Sequence, residues 1–81
     1  MDGKYVTFGI LGKSKSGKTE RWVVKTKDSG IMIGEVKWYG PWRQYAFFPD
    51  EGTLFEKTCL KDISNFLEGR TLVHRQTVKM R

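Results

Sequence analysis

The sequence has little of what builds disulfide-bonded, zinc-binding or membrane-spanning proteins. Its 81 residues include one cysteine, one histidine and two prolines. A lone thiol excludes an internal disulfide framework, and one cysteine with one histidine supply too few ligands for a zinc site. No apolar run approaches the ~20 residues that a membrane-spanning helix needs. We therefore expect a soluble, cytoplasmic protein with no metal site.

The sequence also lacks a set of side chains that would carry catalysis. The acids of its second half are spread over a loop and a helix, which is typical of a solvated surface; they are Asp50, Glu51, Glu56, Asp62 and Glu68. Cys59 falls on the apolar side of the predicted helix, so we interpret it as a packed thiol and not as a nucleophile paired with His74. We predict no catalytic residues and no enzymatic activity.

Acidic residues are few and unevenly placed along the chain, which has a formal net charge of +6. Residues 1–49 hold nine Lys/Arg and four Asp/Glu, residues 50–69 hold two and five, and residues 70–81 hold four and none. Basic ends around an acidic middle indicate that a polyanion binds one surface only. The alternative is that the positive charge serves solubility alone.

The order of local patterns predicts one domain, residues 1–81, of the α+β class. Segments rich in strand-forming residues predict four strands, at about 4–11, 19–27, 31–39 and 42–48. Helical spacing of apolar residues then predicts a helix at about 58–68, with Thr58 as its N-cap and Gly69 as its stop. The basic tail, 70–81, could form a short strand or be disordered. We expect a four-stranded antiparallel curved sheet followed by one C-terminal amphipathic helix.

The most informative segment is residues 35–48, which holds six aromatic and two basic residues. Successive side chains of a strand point to opposite faces, so both faces of the sheet carry rings. The alternation predicts that the helix covers Trp22, Val24, Val36, Trp38, Ala46 and Phe48. It predicts an open face with Arg21, Lys25, Lys27, Lys37, Tyr39, Arg43, Tyr45 and Phe47. A bulge at Gly34 or Gly40 would exchange the faces.

A basic sheet face that carries rings suits single-stranded nucleic acid, because bases stack on rings while Lys and Arg neutralise phosphates. We therefore predict nucleic-acid contacts from the open face, the turn after the third strand and the loop before the second. The candidates are Lys13, Lys15, Lys18, Arg21, Lys25, Lys27, Lys37, Tyr39, Trp42, Arg43, Tyr45 and Phe47.

The loop at residues 12–19, Gly-Lys-Ser-Lys-Ser-Gly-Lys-Thr, matches the phosphate-binding loop pattern of nucleotide hydrolases. That mechanism requires a helix directly after the loop, so that the helix N-terminus faces the phosphates. Residues 20–25 are strand-like instead. We predict a flexible hairpin loop whose lysines contact nucleic-acid phosphates.

The segments at 23–30, 33–39 and 59–67, in this order of four strands and one amphipathic helix, carry a resemblance to a known family. The chain resembles the single-stranded DNA-binding domain of the eukaryotic transcriptional positive coactivator four, relatives of which occur in bacteria and bacteriophages. The likeness covers roughly residues 19–68 and lies in topology and pattern. It implies a homodimer whose helices pack together and whose sheets form grooves for two antiparallel single strands.

The resemblance also implies no enzyme activity and no cofactor. By position, the family's strand-borne contacts fall on Lys25, Lys27, Lys37, Tyr39 and Arg43. The chain departs from the family between the third and fourth strands, where a tight turn at Gly40 and Pro41 replaces a longer loop. The helix residues Leu60, Ile63, Phe66 and Leu67 could pack across a dimer axis, or all four could cover the chain's own sheet.

These observations together predict a non-enzymatic, sequence-tolerant single-stranded DNA-binding protein that acts in replication, recombination or transcription. If the chain is encoded by a phage, it acts in the host cytoplasm. One alternative is a small protein–protein interaction module, such as a phage effector that binds a host protein through the ring-bearing sheet, since Trp, Tyr and Arg dominate interface hot spots. Another is a binder of duplex DNA or of RNA.

Overall fold

The computed structural model describes residues 3–79, and the side chains of residues 3–76. Its elements, in chain order, are β1 (Val6–Lys13), β2 (Glu20–Thr26), β3 (Met32–Tyr39), β4 (Gln44–Pro49) and α1 (Lys57–Lys79). The strands form one antiparallel sheet in the order β1-β2-β3-β4. The predicted fold class, a four-stranded antiparallel sheet followed by one C-terminal helix, is confirmed. In the described part of the chain, no helix is long and apolar enough to cross a membrane.

The core lies between α1 and one face of the sheet. Its buried members are Val6, Phe8, Val24, Ile33, Val36, Tyr45, Ile63 and Phe66. The rings of Phe8 and Phe66 stack in parallel with centroids 3.9 Å apart, and Trp22 meets Phe66 edge-on at 5.1 Å. Burying one such side chain contributes about 1.5–3 kcal/mol, so Phe66 holds α1 to β1 and β2.

The predicted faces of β2 and β3 are correct from Trp22 to Val24 and from Gly34 to Tyr39. Trp22 pairs with Val36 and Val24 with Gly34, and each pair lies on the side of α1. The register of β3 on β2 does shift, but between Met32 and Gly34. The shift comes before Gly34 in the chain, whereas the aromatic residues of β3 come after it. The faces of these two strands are therefore not exchanged.

The predicted face of β4 is wrong by one residue. Trp38 pairs with Tyr45 and Val36 pairs with Phe47, and residues paired across strands point to the same face. Tyr45 and Phe47 therefore lie under α1 and not on the open face, and Tyr45 is only 4% exposed. The neighbours that take their place on the open face are Ala46 and Phe48.

The turn between β3 and β4 causes this change. Gly40–Trp42 forms one turn of 3-10 helix, and the amide of Arg43 donates to the carbonyl oxygen of Gly40 at 3.0 Å. Arg43 has φ 52° and ψ 47°, a left-handed conformation that few non-glycine residues adopt. Strand β4 therefore begins at Gln44, whereas the prediction counted the alternation of faces from Trp42.

Helix α1 begins one residue before its predicted start and with a different cap. The Glu56 carboxylate accepts the amide of Cys59 at 2.6 Å, so Glu56 takes the capping role predicted for Thr58. Hydrogen bonds from the backbone amides of Thr58 and Cys59 hold the pKa of Glu56 below its ordinary value, and the bond from Thr58 has the larger effect.

Helix α1 also continues past Gly69, which the sequence predicted as its end. Two residues further, Thr71 is buried, and its Oγ1 accepts the Tyr45 amide at 3.0 Å. This contact with β4 supports the helix where the local sequence signals a stop. The basic tail is therefore helical as far as Lys79, and not a strand or disordered; residues 80–81 of that prediction lie outside the described residues.

The helix residues predicted for a dimer interface differ in exposure. Ile63 and Phe66 are 3% and 7% exposed and pack on the chain's own sheet, which is the alternative that the sequence left open for them. Leu67 is partly buried against the same core. Leu60 is 49% exposed and remains available to a partner.

Candidate nucleic-acid interface

The sheet face opposite α1, here called the open face, is defined by the strand register. Its side chains alternate with those of the core. Its members are Thr7, Gly9, Arg21, Val23, Lys25, Glu35, Lys37, Tyr39, Gln44, Ala46 and Phe48. Three of these are cations, one is an acid and two are aromatic.

Three rings form a continuous row along β3, β4 and the turn that joins them. Trp42 meets Tyr39 edge to face with ring centroids 4.8 Å apart, and Tyr39 meets Phe48 in the same way at 6.2 Å. We call these three residues the aromatic row. Edge-to-face packing leaves part of each ring free for another aromatic group, and Trp42 is 65% exposed. The row is therefore an accessible surface for stacking.

A lysine lies over the inner end of the aromatic row. The Lys37 Nζ is 4.5 Å from the centroid of the Phe48 ring, within range of a cation–π interaction. Lys37 pairs across the sheet with Ala46, and Phe48 lies two residues further along β4 on the same face. The open face thus places one cation directly against a stacking surface.

The open face also holds an ion pair between β2 and β3. Arg21 donates from Nε to one carboxylate oxygen of Glu35 at 2.9 Å, and from Nη2 to the other at 3.1 Å. The bond from Arg21 holds the pKa of Glu35 below its ordinary value; partial burial opposes this, and the charges of Arg21 and Lys37 assist it. The same bond raises the pKa of Arg21. Glu35 is therefore ionised at neutral pH.

More cations collect at the end of the sheet where the aromatic row ends. The antiparallel order brings the β1–β2 loop and the β3–β4 turn to this end. Lys13, Lys15, Lys18 and Arg43 are all exposed here. These predicted contacts therefore lie at the same end of the sheet as Trp42, while Lys25 is exposed towards the other end of the open face.

The loop that matches the phosphate-binding pattern is folded on itself. The amides of Ser14 and Gly17 donate to the carbonyl oxygens of Thr19 and Ser14 at 2.8 and 2.9 Å. The amides of Lys18 and Thr19 donate to the hydroxyls of Ser16 and Ser14. Strand β2 follows directly, and not a helix. The loop is a β-hairpin connection, as predicted, and its backbone amides are not arranged as a phosphate cradle.

Three predicted contacts lie away from the open face. Tyr45 and Phe47 point under α1, where the Tyr45 hydroxyl accepts the Glu20 amide at 3.2 Å. Lys27 follows the end of β2, and its Nζ lies 3.5 Å from the carbonyl oxygen of Gly3. It lines a depression together with Cys59 of α1 and with Glu56, the residue before that helix. Lys27 is therefore not grouped with the aromatic row.

Two members of the interface were missed by sequence reasoning. Phe48 was placed under the helix because of the one-residue error in β4. Glu35 alternates with the core side chains of β3 in the same way as Lys37 and Tyr39, so the sequence pattern could have placed it on the open face. Its partners on the neighbouring strands are Val23 and Phe48.

Three further acids lie at or on α1, on the other side of the sheet. Glu56, Asp62 and Glu68 lie just before or within α1, and the Asp62 carboxylate accepts the Tyr5 amide at 2.8 Å. Within residues 3–79 no cluster of three or more His, Cys, Asp or Glu side chains could hold a metal ion. Glu35 is therefore the acid that stands among the cations of the open face.

Comparison with known proteins shows similarity to a phage protein. The chain is 32% identical over 64 residues to an uncharacterized 9.3 kDa protein of Acholeplasma phage L2, and the match covers 79% of this chain and 81% of the phage protein. The chain belongs to the same family as this phage protein. No family model and no solved structure matches the sequence.

Proposed function

We propose that this chain is a non-enzymatic, sequence-tolerant single-stranded DNA-binding protein whose open face contacts the strand. The observation that carries the proposal is the aromatic row: Tyr39 and Phe48 lie beside Lys37 on the sheet face opposite α1, and Trp42 extends the row into the β3–β4 turn. Rings on an accessible sheet stack on bases whatever their sequence, because every base has a π face. Neighbouring cations neutralise the phosphates that link those bases.

The roles of the individual side chains follow from their exposure. Trp42 offers the largest accessible ring area and stacks on a base. Tyr39 and Phe48 are partly buried and extend the stacking surface inward. Lys37 and Lys25 contact phosphates along the strand, and the lysines of the β1–β2 loop contact phosphates at the end of the sheet.

We also propose the setting in which the protein acts. The resemblance to the positive coactivator four domain supports a homodimer and a role in replication, recombination or transcription. The similarity to a phage protein supports action in the cytoplasm of an infected host. In the homodimer, the exposed Leu60 and the partly buried Leu67 contribute to the contact between subunits.

The proposal is tested by titrating labelled oligonucleotides and following fluorescence anisotropy and tryptophan emission. A ~20-nucleotide single strand and its duplex are compared at two salt concentrations, with an RNA of the same sequence as a third ligand. We expect tighter binding of the single strand, quenching of Trp42, and a log–log salt slope of about −0.7 for each phosphate contacted. Undetectable or salt-insensitive binding to all three ligands contradicts the proposal.

A second candidate function is binding of a protein partner, and one observation favours it. A groove of about 680 Å³ runs between β4 and α1, and its lining includes Trp42, Leu60 and Leu72, which are all about half exposed or more. Exposed apolar groups beside a strand edge are typical of protein interfaces. Recovery of one stoichiometric host protein after nuclease treatment, without oligonucleotide binding, supports this candidate instead.

A further inference from the structure

The ion pair between Arg21 and Glu35 is unusual in its position. A surface that binds phosphates gains affinity from cations that have no acidic partner. Here the Glu35 carboxylate lies on β3, one of the two central strands, beside Lys37 and Phe48. It engages Arg21 through both of its oxygens. The Arg21 side chain is 45% exposed, so strand phosphates can reach it, while the Glu35 side chain is 18% exposed.

We infer that Glu35 limits the affinity of the open face for nucleic acid by occupying Arg21 and by repelling phosphates. The inference rests on the proposed function and adds a residue that sets how tightly the strand is held. A phosphate that arrives at β2 competes with Glu35 for the guanidinium, because a bidentate carboxylate uses the same fork of donors that a phosphate would use. Binding is therefore weaker and more readily reversed than the count of cations suggests.

Electrostatics around the pair support this role. Besides Arg21, the charged group that faces Glu35 is Lys37, which is two residues along β3 on the same face. The carboxylate is ionised at neutral pH, so its charge acts on any phosphate bound to either cation. Like charges within the Debye length of ~10 Å at 0.1 M salt repel each other measurably.

The test substitutes Glu35→Gln, which keeps the size of the side chain, removes its charge and leaves one acceptor oxygen in place of the two that bind Arg21. We expect this variant to bind a ~20-nucleotide single strand about 3- to 10-fold more tightly at low salt, from loss of repulsion and one freed cation. The salt slope should become steeper by about 0.7, the contribution of one added phosphate contact. The matched control, Glu68→Gln, removes the same charge from α1, and we expect a change of about twofold or less there because of screening.

A double variant separates the loss of repulsion from the freeing of Arg21. When Arg21→Gln is already present, adding Glu35→Gln should give a smaller gain in affinity and no change of salt slope, because no guanidinium remains to be freed. Thermal unfolding of each variant serves as the structural control. We expect Glu35→Gln to be no more stable than the wild-type protein, because it loses the charged partner of Arg21.

The outcomes distinguish this inference from the proposed function. Tighter binding by a variant that is equally or less stable supports the inference, because a purely structural role predicts weaker binding. If the wild-type protein binds single strands and Glu35→Gln binds equally or more weakly, the inference is wrong and the proposed function stands. If the wild-type protein binds no oligonucleotide at all, both are wrong.

Discussion

Trp38 on β3 and Tyr45 on β4 are register partners, and their rings meet edge to face with centroids 5.3 Å apart at 84°. Both rings also contact His74 of α1, at 4.4 and 6.3 Å between centroids. The contact accompanies the register of β4 on β3. That register places Phe48, and not Phe47, in the candidate interface.

The buried position of Tyr45 gives the first prediction. Tyr45→Phe removes the hydroxyl that accepts the Glu20 amide, leaving a partly buried donor without its partner. We expect the free energy of unfolding to fall by about 1–2 kcal/mol in urea titrations. Oligonucleotide affinity should be unchanged. Loss of affinity with unchanged stability would place Tyr45 on the binding face instead.

The second prediction concerns the exposed end of the aromatic row. Trp42→Ala removes a ring that is 65% exposed, so the stability of the fold should change little. We expect affinity for a single strand to fall by about 1–3 kcal/mol of binding free energy, the usual contribution of one base–aromatic contact. Anisotropy titration measures this, with Leu72→Ala as the control, because Leu72 is a similarly exposed apolar residue on α1. Equal affinities of Trp42→Ala and wild type would remove Trp42 from the site.

The third prediction tests the part of α1 beyond Gly69. Thr71→Val keeps the shape of the side chain but removes the oxygen that accepts the Tyr45 amide. We expect a loss of about 1–3 kcal/mol in the free energy of unfolding, because a buried backbone donor is left unpaired. Ser64→Ala, at an exposed position of the same helix, is the control. If both variants are equally stable, this turn of the helix does not pack on β4.

The fourth prediction separates core from surface on α1. Phe66→Ala removes a ring that stacks on Phe8 and should destabilise the fold by about 3–5 kcal/mol. Leu60→Ala, at a half-exposed position, should change the free energy of unfolding by less than about 0.5 kcal/mol when the protein is a monomer. A larger effect of Leu60→Ala that grows with protein concentration indicates that Leu60 is buried between subunits.

The fifth prediction is a loss of stability in acid. Glu35 and Glu56 both have a pKa lowered in the folded state, by Arg21 and by the helix amides respectively. Such groups contribute stability above their unfolded pKa of about 4.3, and this contribution is lost as the pH falls through the lower folded pKa. The Tm should therefore be flat near neutral pH and fall below about pH 4.5. In Glu56→Gln the fall should be smaller; an unchanged profile would show that the cap does not contribute.

The order of elements was predictable because each has a strong local signal. Strand-forming residues between Gly- and Ser-rich turns mark β1 to β3, and the apolar spacing from Leu60 to Leu67 marks α1. It was also predictable that the loop at residues 12–19 joins two strands of a hairpin, because a strand and not a helix follows Thr19. The faces of β2 and β3 followed from alternation alone.

The errors arise where an unusual backbone conformation or a contact distant in sequence overrides a local signal. Arg43 adopts a left-handed conformation usually taken by glycine, and this moves the start of β4 to Gln44. Gly69 does not end α1, because Thr71 is held by the backbone of β4. The pairing of Glu35 with Arg21 depends on the β2–β3 register, and the shift between Val24 and Lys25 makes that register hard to predict.

Binding by the open face is tested most directly by amide chemical-shift mapping of the isotope-labelled protein as a ~10-nucleotide single strand is added. We expect the largest changes on the open face and the turn, at Lys37, Tyr39 and Trp42, with small changes along the exposed side of α1. Changes concentrated on Leu60 and Leu72, or no changes at all, would contradict the binding of single-stranded DNA by the open face.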